Sequence, residues 1–268
     1  MAAFPLMLPG TSRPPKLVVF DLDHTLIACD ATILWTEFLY EKKIVTDPIW
    51  RQYDRDMVKS YAKGVLDIRD FCRKHAGAFR SIPEEKLHAL AQEFAKKKIA
   101  PLIFPDGKKW VKNALQANIP ACVLSASAAF IVKPIAKLFG LTDAMGIELA
   151  FKDGFCTGEI VGIPTFQEGK VERLSQRLAE AGIGFEDVLF FTDSRNDLPL
   201  AERAGYTVCV NPDAVLESSA RKNGWKVAEW KLSLRTQMTA QVDCRKLRLF
   251  EAKALPLKPI AGSVPAFE

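Results

Sequence analysis

Two aspartates stand one residue apart in Phe20-Asp21-Leu22-Asp23-His24-Thr25-Leu26, directly after the apolar run Leu17-Val18-Val19-Phe20. Ionised side by side, two carboxylates repel, so a cation or a shared proton is expected between or near them. Polar residues recur at the ends of other apolar runs. Ser125 follows Ala121-Cys122-Val123-Leu124, and Thr192-Asp193, with Asn196 and Asp197 soon after, follows Val188-Leu189-Phe190-Phe191. A lone Ser or Asp after a strand is most often a turn former or a helix cap, so the case rests on their meeting at one edge of a sheet. Lys170, in Gly169-Lys170-Val171 at a predicted helix start, can reach that edge and add a positive charge. Carboxylates, a lysine and a hydroxyl suit magnesium-assisted phosphoryl transfer. Mg²⁺ takes oxygen ligands and keeps several waters, so Asp21, Asp193 and a backbone carbonyl are enough protein. The metal offsets the repulsion and draws a dianionic phosphate within reach of Asp21.

The elements that must position these groups alternate. Strand-like runs at 17–20, 121–124, 188–191 and 207–210 are separated by helical patterns at 106–116, 128–139 and 168–181, and Gly140 stops the second of these. Such alternation predicts a doubly wound parallel sheet, a Rossmann-like α/β fold, with its crevice outside the carboxyl ends of the strands. Ile147–Phe151 and Phe155–Val161 flank Asp153-Gly154 and read as a hairpin. Residues 28–100 differ. They carry amphipathic helical patterns at 33–44, 68–79 and, after Ser81-Ile82-Pro83-Glu84-Glu85, through Leu87, Leu90, Ala91 and Phe94, with no strand-like run among them. The expected organisation is a discontinuous core, 16–28 and 101–231, with a helical insert at 29–100 and extensions at 1–15 and 232–268.

In order and context, Asp21-Leu22-Asp23-His24-Thr25, Ser125 in Leu124-Ser125-Ala126-Ser127, Lys170, and Asp193-Ser194-Arg195-Asn196-Asp197 resemble the motifs of the haloacid dehalogenase superfamily over about residues 16–228. Within it the chain looks most like the phosphoserine phosphatase branch, whose members carry a helical cap where this insert falls. The resemblance implies that Asp21 is a nucleophile forming an aspartyl-phosphate and that Asp23 is the general acid and base. Ser125 and Lys170 would hold phosphoryl oxygens. Asp21, Asp193 and the Asp23 carbonyl would bind Mg²⁺, with Asn196 and Asp197 supporting. It implies substrate contacts from Thr25, from Asp30, nine positions after the nucleophile, and from Arg73 in the cap. Asp30 as a helix N-cap and Arg73 as a solvated surface residue are the competing readings. Dehalogenases and ion-pumping relatives lack an acid at the second position, so Asp23 argues for phosphate esters. Ser125-Ala126-Ser127 and Thr192-Asp193-Ser194 stand where glycines are usual, and an ester such as histidinol phosphate fits about as well as phosphoserine.

Composition bounds the rest. The 268 residues are 49% hydrophobic and 26% charged with a net charge of +5, a globular pattern. Cys29, Cys72, Cys122, Cys156, Cys209 and Cys244 lack C-x-x-C spacing, which favours reduced buried thiols and a cytoplasmic location. The apolar stretch Ile119 to Val132, which contains Pro120, Ser125 and Ser127, is too short to span a bilayer. The basic segment beyond 232 lacks any nucleic-acid-binding motif. A small-molecule phosphate ester is the expected partner, with no nucleic acid and no membrane. His24, His75 and His88 are isolated and read as structural, and Trp35, Phe38 and Leu39 as core. The readings that compete with a phosphomonoesterase are a phosphotransferase with a non-water acceptor and a non-catalytic regulatory module of the same fold.

Overall fold

The computed structural model describes Leu8 and residues 13–233. Most of both expected extensions, and Cys244, lie outside the described residues. The central element is β1 (Leu17–Phe20), whose four residues are all buried. A strand with no solvent-facing side is apolar throughout, because both faces of a parallel sheet are covered.

Beside β1 lie β2 (Ala121–Ala128) and β6 (Val188–Thr192), both parallel to it. The six-stranded sheet has the order β3-β2-β1-β6-β7-β8, completed by β3 (Ala144–Ile147), β7 (Tyr206–Val210) and β8 (Lys226–Ala228). The doubly wound α/β reading therefore holds. From β1 the chain builds outward to β2 and β3, then crosses back to β6, so the strand order reverses between β1 and β6. Loops diverge at such a point and leave a crevice at the carboxyl ends.

Three strand assignments differ from those read in the sequence. β2 runs on through Ser125 to Ala128, which keeps Ser125 and Ser127 on one face by the two-residue period. Ile147 ends β3 instead of opening the hairpin, whose strands are β4 (Leu149–Lys152) and β5 (Phe155–Ile160). β3 packs tightly on the chain leaving β2. A Cβ on Gly146 would lie 2.8 Å from the Ala129 Cα and from the Ser127 carbonyl oxygen. β8 is a short edge strand with exposed or partly exposed residues, too weakly apolar to stand out in the sequence. The hairpin turn at Asp153 and Gly154 has positive φ at both residues, 52° and 78°, as two-residue hairpins require.

The insert contains α1 (Ala31–Glu41), α2 (Ile49–Lys63), α3 (Ile68–Ala76) and α4 (Glu84–Phe94). Its core is aromatic: Trp35 meets Phe38 and Phe94, while Trp35 and Phe79 both reach Phe130. Phe130 belongs to α6 (Ala129–Ala136), which follows β2, so the insert and the sheet share one apolar core. The hairpin docks on the insert as well. The Glu84 amide donates to the Gly154 carbonyl at 2.8 Å, and Arg73 of α3 pairs with Glu159 of β5.

Candidate active site

Register brings the predicted residues together. Phe20 is level with Val123 of β2 and with Phe191 of β6, so Asp21 emerges beside Leu124-Ser125 and Thr192-Asp193. The chain then turns sharply: the amides of Leu26 and Ile27 both donate to the Leu22 carbonyl, at 2.9 and 3.2 Å. That turn delivers Asp23 to the start of α1.

Lys170 arrives from the other side on α7 (Glu168–Ala181). The turn before it is tight, and a Cβ on Gly169 would fall 1.9 Å from the Pro164 carbonyl oxygen, so only glycine fits. The lysine is 1% exposed, and its Nζ lies 2.7 Å from Asp21 Oδ1 and 2.7 Å from Asp197 Oδ1. Burial alone would favour neutral lysine, but Asp197 and Asp21 outweigh it and hold the ammonium charged. Asp197 is fixed in turn by the Thr192 hydroxyl, which donates to its Oδ2 at 2.7 Å.

Asp23 is held by different groups. Its Oδ1 accepts from the Ala31 amide at 2.6 Å, and its Oδ2 accepts from the Ser125 and Ser127 hydroxyls at 3.1 and 2.9 Å. The Ser125 main chain is anchored by the Thr165 hydroxyl, 2.5 Å from its carbonyl. Thr25 turns its hydroxyl toward Asp193 Oδ1 at 3.5 Å, a long contact. Asn196 donates to the Tyr61 carbonyl at 3.1 Å and accepts from Gln167 at 3.2 Å, so it ties the core to the end of α2.

The assembled charges leave negative charge uncompensated. Burial, opposed by Lys170 and reinforced by Asp197 and Asp23, pushes the Asp21 carboxyl up to about 7. Burial and Asp30 raise Asp23 to about 6, against the hydrogen bonds it accepts. Asp193 is pushed well above the carboxylate range by burial and by Asp21 and Asp197. The Tyr61 phenol is raised too, by burial and then by Asp197, Asp193 and Asp21, which places that side chain over the same carboxylates.

The two residues read as substrate contacts in the insert separate. Asp30 caps α1, accepting from the Ile33 amide at 3.0 Å, and is close enough to raise Asp23. Arg73 is outside the cluster: its Nε donates to Glu159 Oε1 at 2.8 Å in an exposed pair. Sequence reasoning undervalued Ser127, Thr32, Thr165 and Tyr61. Ser127 was accessible from its two-residue spacing to Ser125. The other three are brought in by tertiary packing, for which the local sequence holds no signal.

A sequence model of the haloacid dehalogenase-like hydrolases matches residues 18–202. The chain belongs to that family. It is 36% identical over 220 residues to a protein named histidinol-phosphatase from Neisseria meningitidis serogroup C, covering 81% of this chain and 99% of that one. A solved structure of a protein of unknown function from Bordetella pertussis Tohama I is similar at a TM-score of 0.72 with 32% identity, covering 79% of this chain and 97% of that one. A phosphoserine phosphatase solved as an analogue of its phospho-aspartyl intermediate superposes at a TM-score of 0.60 with 22% identity, over 85% of this chain and 99% of that one, a likeness of fold. The chain is thus a hydrolytic enzyme of the phosphatase type within this family.

Proposed function

We propose that the chain is a Mg²⁺-dependent phosphomonoesterase that acts on a small amino-bearing phosphate ester through an aspartyl-phosphate on Asp21, in the cytoplasm. The observation that carries this reading is the Asp21–Lys170–Asp197 cluster at the β1–β6 crevice, with Asp23 held beside it. Attack by an Asp21 carboxylate oxygen on phosphorus breaks the ester P–O bond, and the departing alkoxide takes the proton from Asp23. Asp23 then removes a proton from water, whose oxygen attacks phosphorus. The bond to Asp21 breaks and inorganic phosphate leaves. A carboxyl raised to about 6 can both give and take a proton near neutral pH, as this double role needs. The Lys170 ammonium and the Ser125 hydroxyl bind the phosphoryl oxygens and offset the charge that builds there.

The donor set fits Mg²⁺. Asp21 is buried and Asp193 partly so, Asp21 raises Asp193, and Lys170 alone does not balance the cluster. Among the described residues no three His, Cys, Asp or Glu side chains form a closed metal cage. Two carboxylates and the Asp23 carbonyl are the sparse oxygen set that Mg²⁺ completes with water. When bound, the ion neutralises the phosphate as it meets Asp21. Asn196 and Asp197 support this edge, and Thr25 sits at its rim.

Histidinol phosphate is favoured over phosphoserine. A phosphoserine site needs a cation for the substrate carboxylate, and Arg73 is engaged with Glu159 at the surface. The relative named histidinol-phosphatase also matches this chain over nearly its whole length. The test is phosphate release from histidinol phosphate, phosphoserine and amine-free sugar phosphates, with Mg²⁺ and with chelator. The expected result is metal-dependent release that is greatest from histidinol phosphate and lost in Asp21→Asn, by about 10⁴-fold or more. Turnover by Asp21→Asn close to wild type would sink the mechanism.

A further inference from the structure

One buried group in the insert is not used by the chemistry above. Asp54 lies on α2, on the face that also carries Met57 and Tyr61 at helical spacing. At its C-terminal end that face reaches the catalytic edge, where the Tyr61 phenol lies near Asp197, Asp193 and Asp21. Asp54 is 5% exposed, and among the described residues its Oδ1 has no hydrogen-bond partner.

Its surroundings are polar and acidic. His75 Nε2 is 3.6 Å from that oxygen, too far for a hydrogen bond, and lies 3.0 Å from the Thr36 hydroxyl. Burial holds the His75 imidazole down to about 4, so it is neutral near pH 7 and supplies no counter-charge. Asp30 and Glu37 both act on Asp54 as repelling charges. The neutral Thr36 hydroxyl, as a hydrogen-bond donor to the carboxyl, and, more weakly, Arg55 act in the other direction, which leaves Oδ1 as the unpartnered oxygen; the Arg55 guanidinium is hydrogen-bonded to Gln52 Oε1. The cluster connects to the reaction centre along α1. Thr36 is one helical turn, about 5.4 Å, beyond Thr32. The Thr32 hydroxyl lies 3.1 Å from that of Ser127, which donates to Asp23.

A buried carboxyl oxygen without a donor is costly unless something positively charged reaches it. We propose that Asp54 is a second acid that extends the substrate contact the resemblance assigns to Asp30 into a subsite for the cationic end of the substrate, the ammonium or imidazolium of an amino-alcohol phosphate whose phosphoryl group sits at Asp21. The assignment rests on the phosphomonoesterase reading and deepens it. Asp21 and Asp23 fix the reaction, and the Asp30–Asp54 end selects which ester undergoes it. Asp54 does not touch the reacting atoms, so it is a specificity-determining residue, and its loss falls on binding.

The experiment compares wild type and Asp54→Asn, which keeps shape and removes charge, on histidinol phosphate and on p-nitrophenyl phosphate, which lacks a cation. The expected result is a loss of about 10- to 100-fold in kcat/KM for histidinol phosphate, carried by KM, with p-nitrophenyl phosphate changed by less than about twofold. An equal fall on both esters, or no change on either, overturns the assignment. Asp54→Ser is the second variant should Asp54→Asn fail to fold, with the same criterion. Calorimetric titration with histidinol, which carries the cation without the phosphate, reads the subsite independently of turnover. Binding at least about tenfold weaker in the variant supports the assignment, and equal binding overturns it. A wild type that releases no phosphate from either ester would instead sink the phosphatase reading, and the histidinol titration would still decide the role of Asp54.

Discussion

Two buried acidic sites lie about one helical turn apart along α1, at Thr32 and at Thr36, and they are compensated in opposite ways. At the sheet edge, Asp21 and Asp197 share a buried ammonium 2.7 Å from each. In the insert, Asp54 has a neutral imidazole for a neighbour and an oxygen with no donor among the described residues. Burial is nearly the same, so the difference lies in what each site is ready to receive. The first already holds a positive charge, which the proposed phosphoryl group would meet. The second is an acid that burial keeps largely protonated near pH 7 and that a cation reaching it would ionise. A zwitterionic or cationic ester, phosphate at one end and amine at the other, matches this polarity.

The sharpest way to break the comparison is to remove the cation from the compensated site. Lys170→Gln leaves Asp21 and Asp197 facing each other without a counter-charge. Removing one partner of a buried ion pair costs about 3–5 kcal/mol, so equilibrium denaturation should detect a loss of that size. On the proposed mechanism, in which the same ammonium stabilises charge on the phosphoryl oxygens, activity should fall by at least about 100-fold through kcat. Lys170→Arg should not restore it, since a planar guanidinium cannot occupy the position of a compact ammonium between two carboxylates. A variant that is as stable as wild type would mean that Lys170 does not compensate the pair.

The second site gives an effect of opposite sign. Burial, with Asp30 and Glu37 adding to it and Thr36 opposing it, raises the Asp54 carboxyl to about 8 in the folded chain, against 3.8 for the ordinary group. The folded state therefore binds the proton more tightly than the unfolded one. Below about pH 4 the carboxyl is neutral in both states and nothing is lost. As pH rises toward 8 the unfolded chain ionises and the folded chain is penalised. Asp54→Asn removes that penalty, so the variant should gain on wild type progressively between pH 4 and pH 8, by up to about 6 kcal/mol at about 1.4 kcal/mol per pH unit, measured by denaturant unfolding at each pH. A difference that is flat with pH would show that Asp54 is not a strained carboxyl. The variant would be both more stable and less selective, the usual trade at a binding site.

These two sites were not equally legible in the sequence. Asp21, Asp23, Ser125, Lys170 and Asp193 could be placed because strand ends and a helix start are encoded locally, by apolar runs and by Gly169. The parallel sheet that joins them follows from alternation. β3 and β8 escaped because they are short and weakly apolar, and their pairing is set by the neighbouring strands. Asp54 carries no local signal: it sits in the polar pattern Gln52-Tyr53-Asp54-Arg55-Asp56, and only the packing of α2 on α1 and α3 decides which of these acids is buried. The shared core of insert and sheet was hidden for the same reason, since the contact of Trp35 and Phe79 with Phe130 is a tertiary fact.

The smallest expected effect concerns Arg73, which separates the two esters. Its guanidinium pairs with Glu159 at the surface, where solvent and salt screen the interaction. Arg73→Ala should therefore leave kcat and KM for histidinol phosphate within about twofold of wild type, because this ion pair is exposed and remote from the carboxylate cluster. Phosphoserine supplies the contrast. If Arg73 swings from Glu159 to bind a substrate carboxylate, Arg73→Ala raises KM for phosphoserine and leaves histidinol phosphate untouched. Glu159→Gln, which frees the guanidinium, then lowers KM for phosphoserine. Equal and small changes on both esters would place the selection at the Asp30–Asp54 end and leave Arg73 as a clamp between α3 and the hairpin.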